Sequence, residues 1–71
     1  MNDHAELLRL AETFRQVREQ QRLSVTELAA RAGIDVEQIS ALEAGRLDPG
    51  YDVLIALADG MGVRVSTLVP E

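Results

Sequence analysis

The sequence contains no cysteine and no tryptophan, and histidine occurs only once. Without cysteine the chain has neither disulfides nor thiolate ligands for a metal. His4 lies in a polar N-terminal segment, where a solvated side chain is the ordinary state of a polar residue. We therefore predict no metal site and no cofactor.

Long hydrophobic runs are missing as well. No apolar stretch approaches the roughly 18 residues that a membrane span requires, and the N-terminus lacks the charged and apolar regions of a signal peptide. We therefore expect a soluble cytoplasmic protein with no membrane partner. The sequence also lacks a nucleophile–base–acid set and a phosphate-binding loop, so we do not expect an enzyme.

Charge is distributed unevenly along the chain. The formal net charge is −5, and all seven basic residues are arginine. Residues 1–32 are balanced, whereas in residues 33–71 only Arg46 and Arg64 oppose many acidic side chains. Nucleic-acid-binding domains are usually basic, but a phosphate responds to the local surface within a Debye length of about 8–10 Å. Both a nucleic acid and a protein therefore remain possible partners.

Apolar residues recur at helical spacing, and a chain of 71 residues is expected to form one domain, residues 1–71. Leu7, Leu10, Phe14 and Val17 predict a helix over about 5–21. Further helices are predicted over about 25–32, 36–44 and 51–61, followed by a short last turn that Ser66 caps. No run has a strand period of useful length. We therefore predict an all-α fold, a compact bundle of five short helices.

The second and third predicted helices have recognisable ends. Ser24 with Glu27, and Asp35 with Gln38, have the spacing of a capping box. Gly33 and Gly45 follow the two helices, where a left-handed backbone favours glycine. The expected inward residues of helices two to four are Leu28, Ala29, Ala32, Ile39, Leu42, Leu54, Leu57, Ala58 and Met61. Two capped helices joined by a three-residue turn are typical of a DNA-binding helix-turn-helix.

One further glycine is expected to weaken a helix. Gly60 lies inside the fourth predicted helix, where glycine costs about 1 kcal/mol relative to alanine. We therefore expect its last turn to fray.

The motifs extend well beyond these two helices. They are Val17-Arg18, Leu23-Ser24, Glu27-Leu28-Ala29, Gly33-Ile34-Asp35, the run from Ile39 to Gly45, Pro49, Leu54, Leu57-Ala58 and Gly62-Val63. With them the chain resembles the Cro/repressor-type helix-turn-helix proteins, the XRE family, over about residues 10–69. The resemblance implies a lambda-repressor-like DNA-binding fold, with the third helix in the major groove of double-stranded DNA.

The resemblance also implies which residues face bases. These are Val36, Glu37, Gln38 and Ala41. Glutamine suits a bidentate contact to adenine, a glutamate accepts from the cytosine amino group, and valine or alanine packs on thymine methyl groups. Family members usually place more polar or basic groups here.

Contacts to the DNA backbone are expected at both ends of the motif. Ser24 and Thr26 lie at the start of the second helix, whose free N–H groups receive a phosphate oxygen. Arg46 matches a common basic position of the family just after the third helix. Arg22 stands where the family often has glycine, and it is the fourth predicted phosphate contact.

Arg18 and Glu43 match a different feature of the family, an ion pair between the first and third helices. Each follows a predicted core residue, Val17 or Leu42, and so lies at the edge of an apolar face. The resemblance implies that this pair fixes the angle of the third helix and does not contact bases.

The sequence thus favours a sequence-specific DNA-binding transcriptional regulator that acts as a homodimer. The alternative is a helix-turn-helix module used mainly for protein contact, antitoxin-like, with weak DNA binding. The acidic third and fourth helices favour this alternative.

Overall fold

The computed structural model describes residues 4–69, and within that range the chain forms helices and no strand. The five helices are α1 (His4–Gln20), α2 (Val25–Ala32), α3 (Val36–Glu43), α4 (Tyr51–Met61) and α5 (Val65–Leu68). The all-α prediction is therefore confirmed, and the first four helices begin and end within one residue of their predicted bounds. None of the helices in residues 4–69 combines the length and the hydropathy needed to cross a bilayer.

Every helix contributes to one core. Helix α1 packs against α3 and α5, α2 packs against α3 and α4, and α4 packs against α5. The largest fully buried side chains are Phe14, Leu28, Ile39, Leu42, Leu57 and Leu68. Because Ile39 and Leu42 turn one face of α3 inward, the opposite face of this helix is presented to solvent.

The buried face of α1 differs from its predicted stripe. Phe14 and Val17 are buried as expected, but Leu7 and Leu10 are only half-buried. The small side chain of Ala11 is buried instead. The first turns of α1 therefore lie at the periphery of the core, and only its C-terminal half follows the predicted pattern.

The glycines that follow α2 and α3 have the predicted left-handed backbone. Gly33 has φ 70° and Gly45 has φ 73°. After α3, the Gly45 N–H donates to the Leu42 carbonyl at 3.0 Å and the Arg46 N–H donates to the Ala41 carbonyl at 2.9 Å. These two bonds form a Schellman motif that satisfies carbonyls at the end of the helix.

The fraying expected at Gly60 stays a prediction, and the structure shows a further role for this glycine. The helix continues through Gly60 to Met61. A Cβ atom at position 60 would lie 2.9 Å from Leu28 Cδ1 and 3.3 Å from Ala32 Cβ. Glycine therefore allows α4 to approach α2 closely at a position where its helix propensity is low.

Two predicted side-chain caps are absent. Asp35 is the N-cap of α3, but its side chain makes no capping hydrogen bond, and both Asp35 and Gln38 are exposed so that water can satisfy the first N–H groups. Ser66 lies inside α5, which begins at Val65. Val65 and Leu68 turn toward the core three residues apart, so burial and not a serine cap sets the start of this helix.

Candidate nucleic-acid interface

The N-terminus of α2 is held by a reciprocal capping box. The Ser24 hydroxyl accepts a hydrogen bond from the Glu27 N–H at 3.0 Å, and the Ser24 N–H donates to Glu27 Oε1 at 2.9 Å. The bond from the Ser24 backbone lowers the pKa of Glu27 because it stabilises the carboxylate. The predicted box is therefore present.

The box leaves donors free at the same helix end. It uses the N–H groups of Ser24 and Glu27, while those of Val25 and Thr26 belong to the first turn and have no intrahelical acceptor. The Ser24 oxygen acts as an acceptor in the box, so its hydroxyl proton is still available to donate. Ser24 and Thr26 are both exposed. This end of α2 thus presents hydroxyl and backbone donors to an anion.

Arg22 occupies a left-handed backbone conformation just before this helix. Its φ is 58°, and it is the one non-glycine residue with positive φ in residues 4–69. The Arg22 N–H donates to the Glu19 carbonyl at 2.9 Å, and the Leu23 N–H donates to the Arg18 carbonyl at 3.2 Å. These bonds form the same Schellman pattern that glycine usually completes. The Arg22 side chain is exposed.

The ion pair predicted between Arg18 and Glu43 is present. Arg18 Nε lies 2.6 Å from Glu43 Oε2, and Arg18 Nη2 lies 3.0 Å from Glu43 Oε1, so the guanidinium binds the carboxylate with two parallel bonds. The side chains are 12% and 13% exposed. The hydrogen bond to Glu43 raises the pKa of Arg18 above its ordinary value.

The same guanidinium makes a third bond. Arg18 Nη1 donates to the Leu23 carbonyl at 2.8 Å. One side chain therefore joins α1, the turn that precedes α2, and the last residue of α3. This arrangement fixes α3 relative to the start of α2, where the free donors lie.

The outward face of α3 contains the residues predicted to face bases. Val36, Glu37 and Gln38 are exposed, while Ala41 is half-buried and contributes less surface. Ser40 is also exposed on this helix, and sequence reasoning missed it. Ser40 lies four residues after Val36, and residues four apart share a helix face. This spacing could have predicted that Ser40 is exposed beside Val36.

Arg46 follows the end of α3 directly. Gly45 turns the chain out of the helix, and the Arg46 N–H is held by the Ala41 carbonyl at 2.9 Å. The Arg46 side chain is exposed and forms no ion pair with the residues that the structure describes. Arg22 and Arg46 therefore place cations in the turns that precede α2 and follow α3.

Exposed acidic side chains lie at the start of α3 and on α4. Asp35 and Glu37 are exposed at the start of α3, and Asp52 and Asp59 are exposed on α4. Within residues 4–69 no three histidine, aspartate or glutamate side chains are grouped so as to hold a metal ion. The exposed groups of this surface are suited to hydrogen bonding and charge contacts with a partner.

A family model described as helix-turn-helix matches residues 14–68. The chain is 34% identical over 62 residues to the HTH-type transcriptional regulator DdrOP3 of Deinococcus deserti, a match that covers 87% of this chain and 48% of that protein. It is 32% identical over 62 residues to the uncharacterized HTH-type transcriptional regulator y4dL of Sinorhizobium fredii, covering 87% of this chain and 31% of that protein. The chain thus spans about half of the first relative and about a third of the second.

Two solved structures share the fold. The restriction-modification controller protein C.AhdI from Aeromonas hydrophila has a TM-score of 0.87 and 23% identity, covering 90% of this chain and 97% of that chain. The hypothetical transcription factor NHTF from Neisseria has a TM-score of 0.85 and 27% identity, covering 99% of this chain and 82% of that chain. The solved structures share the fold, and the family match over residues 14–68 shows that the chain belongs to the helix-turn-helix family of the XRE type.

Proposed function

We propose that this protein is a sequence-specific DNA-binding transcriptional regulator of the Cro/repressor type, a binding protein and not an enzyme, that works in the cytoplasm. The observation that carries the proposal is the arrangement around α3. Val36, Glu37 and Gln38 are exposed on the helix. Donors at the start of α2 and the cation of Arg46 lie in the segments on either side of it. In a helix-turn-helix, base-reading residues lie between phosphate contacts in this way.

The role of each residue follows from its chemistry. Ser24, Thr26, Arg22 and Arg46 bind phosphate oxygens and fix the position of the domain on the duplex. Val36, Glu37, Gln38 and Ala41 face base edges in the major groove. The clamp of Arg18 on Glu43 holds α3 at the angle that this docking requires.

We propose that the regulator binds DNA as a homodimer. The half-sites of a helix-turn-helix dimer are about 34–36 Å apart, and one copy extends 30 × 22 × 20 Å. One copy therefore covers one half-site. Tyr51 is 68% exposed and Ile55 is 39% exposed, one helical turn apart on α4, and they provide an apolar surface for the second copy.

The test is a titration of duplex DNA at two salt concentrations. We expect affinity to fall steeply as salt rises, because bound phosphates release counterions. Arg46→Ala should weaken binding about equally for all sequences and lower the salt slope by roughly 1. Arg9→Ala serves as the control, because Arg9 is exposed on α1 outside the predicted contacts. If Arg46→Ala binds as the parent does, Arg46 is not an anchor.

The alternative function is protein contact with weak DNA binding, as in an antitoxin-like subunit. The observation that favours it is the combination on α4 of exposed Tyr51 and Ile55 with the acidic residues Asp52 and Asp59. Such a surface attracts a basic protein and repels phosphate. Absence of duplex binding even at low salt would support this alternative over a DNA-binding regulator.

A further inference from the structure

The recognition helix lacks the side chains that most often read DNA. Arginine or lysine bound to guanine is the commonest specific contact in the major groove. Helix α3, with the sequence VEQISALE, contains neither. Its exposed polar side chains are Glu37, Gln38 and Ser40, and the first of these is an acceptor only. The commonest specific contact to guanine is therefore not available to this helix.

Val36 is the large apolar side chain on this exposed surface. It is 42% exposed, whereas the other large apolar residues of α3, Ile39 and Leu42, are buried in the core. It is the first residue of α3, and the N-terminal residues of a recognition helix are those that contact base edges. A valine here makes no hydrogen bond, so its contribution to recognition must come from apolar contact.

The major-groove edge of DNA offers one apolar group, the C5-methyl of thymine. The residues beside Val36 exclude the other nearby target, the phosphate backbone, because Asp35 and Glu37 are both exposed acids. The same carboxylates accept hydrogen bonds from the amino group of cytosine and are incompatible with the acceptor atoms of guanine. The start of α3 therefore favours a thymine in contact with Val36 and, beside it, a base whose amino group donates to a carboxylate.

We propose that Val36 is a specificity-determining residue that packs against a thymine methyl group in duplex DNA, a role that rests on the DNA-binding function proposed above. The preferred half-site contains a thymine opposite Val36, and the 5-methyl group itself is recognised. Replacement of that thymine by uracil removes the methyl group and leaves base pairing and the other edge atoms unchanged. Binding should weaken about three- to fivefold, the effect of uncovering one methyl-sized group.

The experiment starts from duplexes selected from a random-sequence pool with the full chain. Each thymine of the best duplex is then replaced in turn by uracil, and dissociation constants are measured at fixed salt. Val36→Ala removes the contact, and Val36→Thr keeps the shape of the side chain while replacing one methyl by a hydroxyl. Val69→Ala is the matched control, because Val69 is 47% exposed, similar to Val36, and lies outside α3.

We expect that replacing thymine by uracil at one position weakens binding of both the parent and Val69→Ala. This effect should disappear in Val36→Ala and shrink in Val36→Thr. The role of Val36 is overturned if the parent binds the thymine and uracil duplexes equally at every position. It is also overturned if the ratio of the two dissociation constants is unchanged in Val36→Ala. Neither result contradicts the proposed DNA-binding function. Failure to bind any duplex at low salt overturns the proposed function as well, so the two failures are distinguishable.

Discussion

Helices α2 and α3 are both eight residues long and follow each other in the motif, but they are held in different ways. Helix α2 begins with a complete capping box at Ser24 and ends at a left-handed Gly33. Helix α3 has no side-chain cap at Asp35. It is positioned by the buried Ile39 and Leu42 and by the clamp of Arg18 on Glu43. Both helices pack into the core and end at a left-handed glycine. They differ at their starts, because α2 is capped by its own side chains and α3 is not.

This difference matters for the proposed function. A helix that reads bases must present its exposed side chains at a defined angle to the groove, and local caps set where a helix begins but not how it is oriented. The Arg18 guanidinium bridges α1, the carbonyl of Leu23 and the end of α3, so it supplies that orientation.

The largest effect is expected from breaking the clamp. Arg18→Ala or Glu43→Ala should lower the free energy of unfolding by about 2–3 kcal/mol, less than the roughly 3–5 kcal/mol for a fully buried pair, because the side chains keep 12% and 13% exposure. The double mutant should cost less than the sum of the single mutants. Urea unfolding measures these values, with exposed Arg9→Ala as control. Additive losses would show that the two residues do not interact.

Removing the two N-cap side chains compares the helices directly. Ser24→Ala should destabilise the protein by about 1 kcal/mol, because it leaves the Glu27 N–H without its acceptor. Asp35→Ala should cost less than the roughly 0.5–2 kcal/mol of a lost N-cap bond, because Asp35 makes no capping bond in the structure. Urea unfolding of the two variants in parallel measures the difference. Equal losses would contradict the contrast between a locally capped α2 and an uncapped α3.

Replacing Arg22, just before α2, by glycine should stabilise the protein. Its left-handed backbone strains a residue with a Cβ atom, so Arg22→Gly should raise the free energy of unfolding by about 0.5–1 kcal/mol. Arg22→Ala is the matched control, since it removes the same side chain and keeps the strain. The glycine variant should therefore be more stable than both the alanine variant and the parent in thermal unfolding. A glycine variant no more stable than alanine would show that the turn is unstrained.

The smallest effect is the dependence of the capping box on pH. The pKa of Glu27 is lowered in the folded protein by its bond from the Ser24 N–H. The carboxylate therefore stabilises the folded protein fully at a pH above the ordinary pKa of glutamate, about 4.3. This stabilisation is lost as the pH falls through the lowered pKa of the folded protein. Melting temperatures measured from pH 6 to pH 3 should fall more steeply for the parent than for Glu27→Gln. Parallel curves would mean that this carboxylate makes no contribution.

Features set by neighbouring residues could be predicted from the sequence. The capping box of Ser24 with Glu27 and the left-handed Gly33 each depend on a few adjacent residues, and both are present. The bond expected at Asp35 and the cap expected at Ser66 are absent, because core packing places α3 and α5 without them. The close approach of α4 to α2 at Gly60 is likewise a tertiary feature, and local propensity gives no signal for it.

In the candidate site, too, features that depend on tertiary contacts could not be predicted from neighbouring residues alone. The pairing of Arg18 with Glu43 was predictable through the family resemblance, since the residues are 25 positions apart and no local pattern joins them. The left-handed backbone of Arg22 was not predictable from its residue type, because arginine has no preference for that conformation. The family resemblance gives Ala41 as the last base-facing residue of α3, but the fold partly covers Ala41 and leaves its neighbour Ser40 exposed.

The measurement that tests the central claim most directly concerns Glu37, which is exposed on α3. The claim is that this face of α3 enters the major groove, where a carboxylate repels nearby phosphates and accepts from a base amino group. Affinities of the parent and Glu37→Gln are measured for a random-sequence duplex and for the best selected site. We predict that the variant binds the random duplex more tightly and discriminates less between the two. Unchanged affinity for both duplexes would contradict the placement of α3 in the groove.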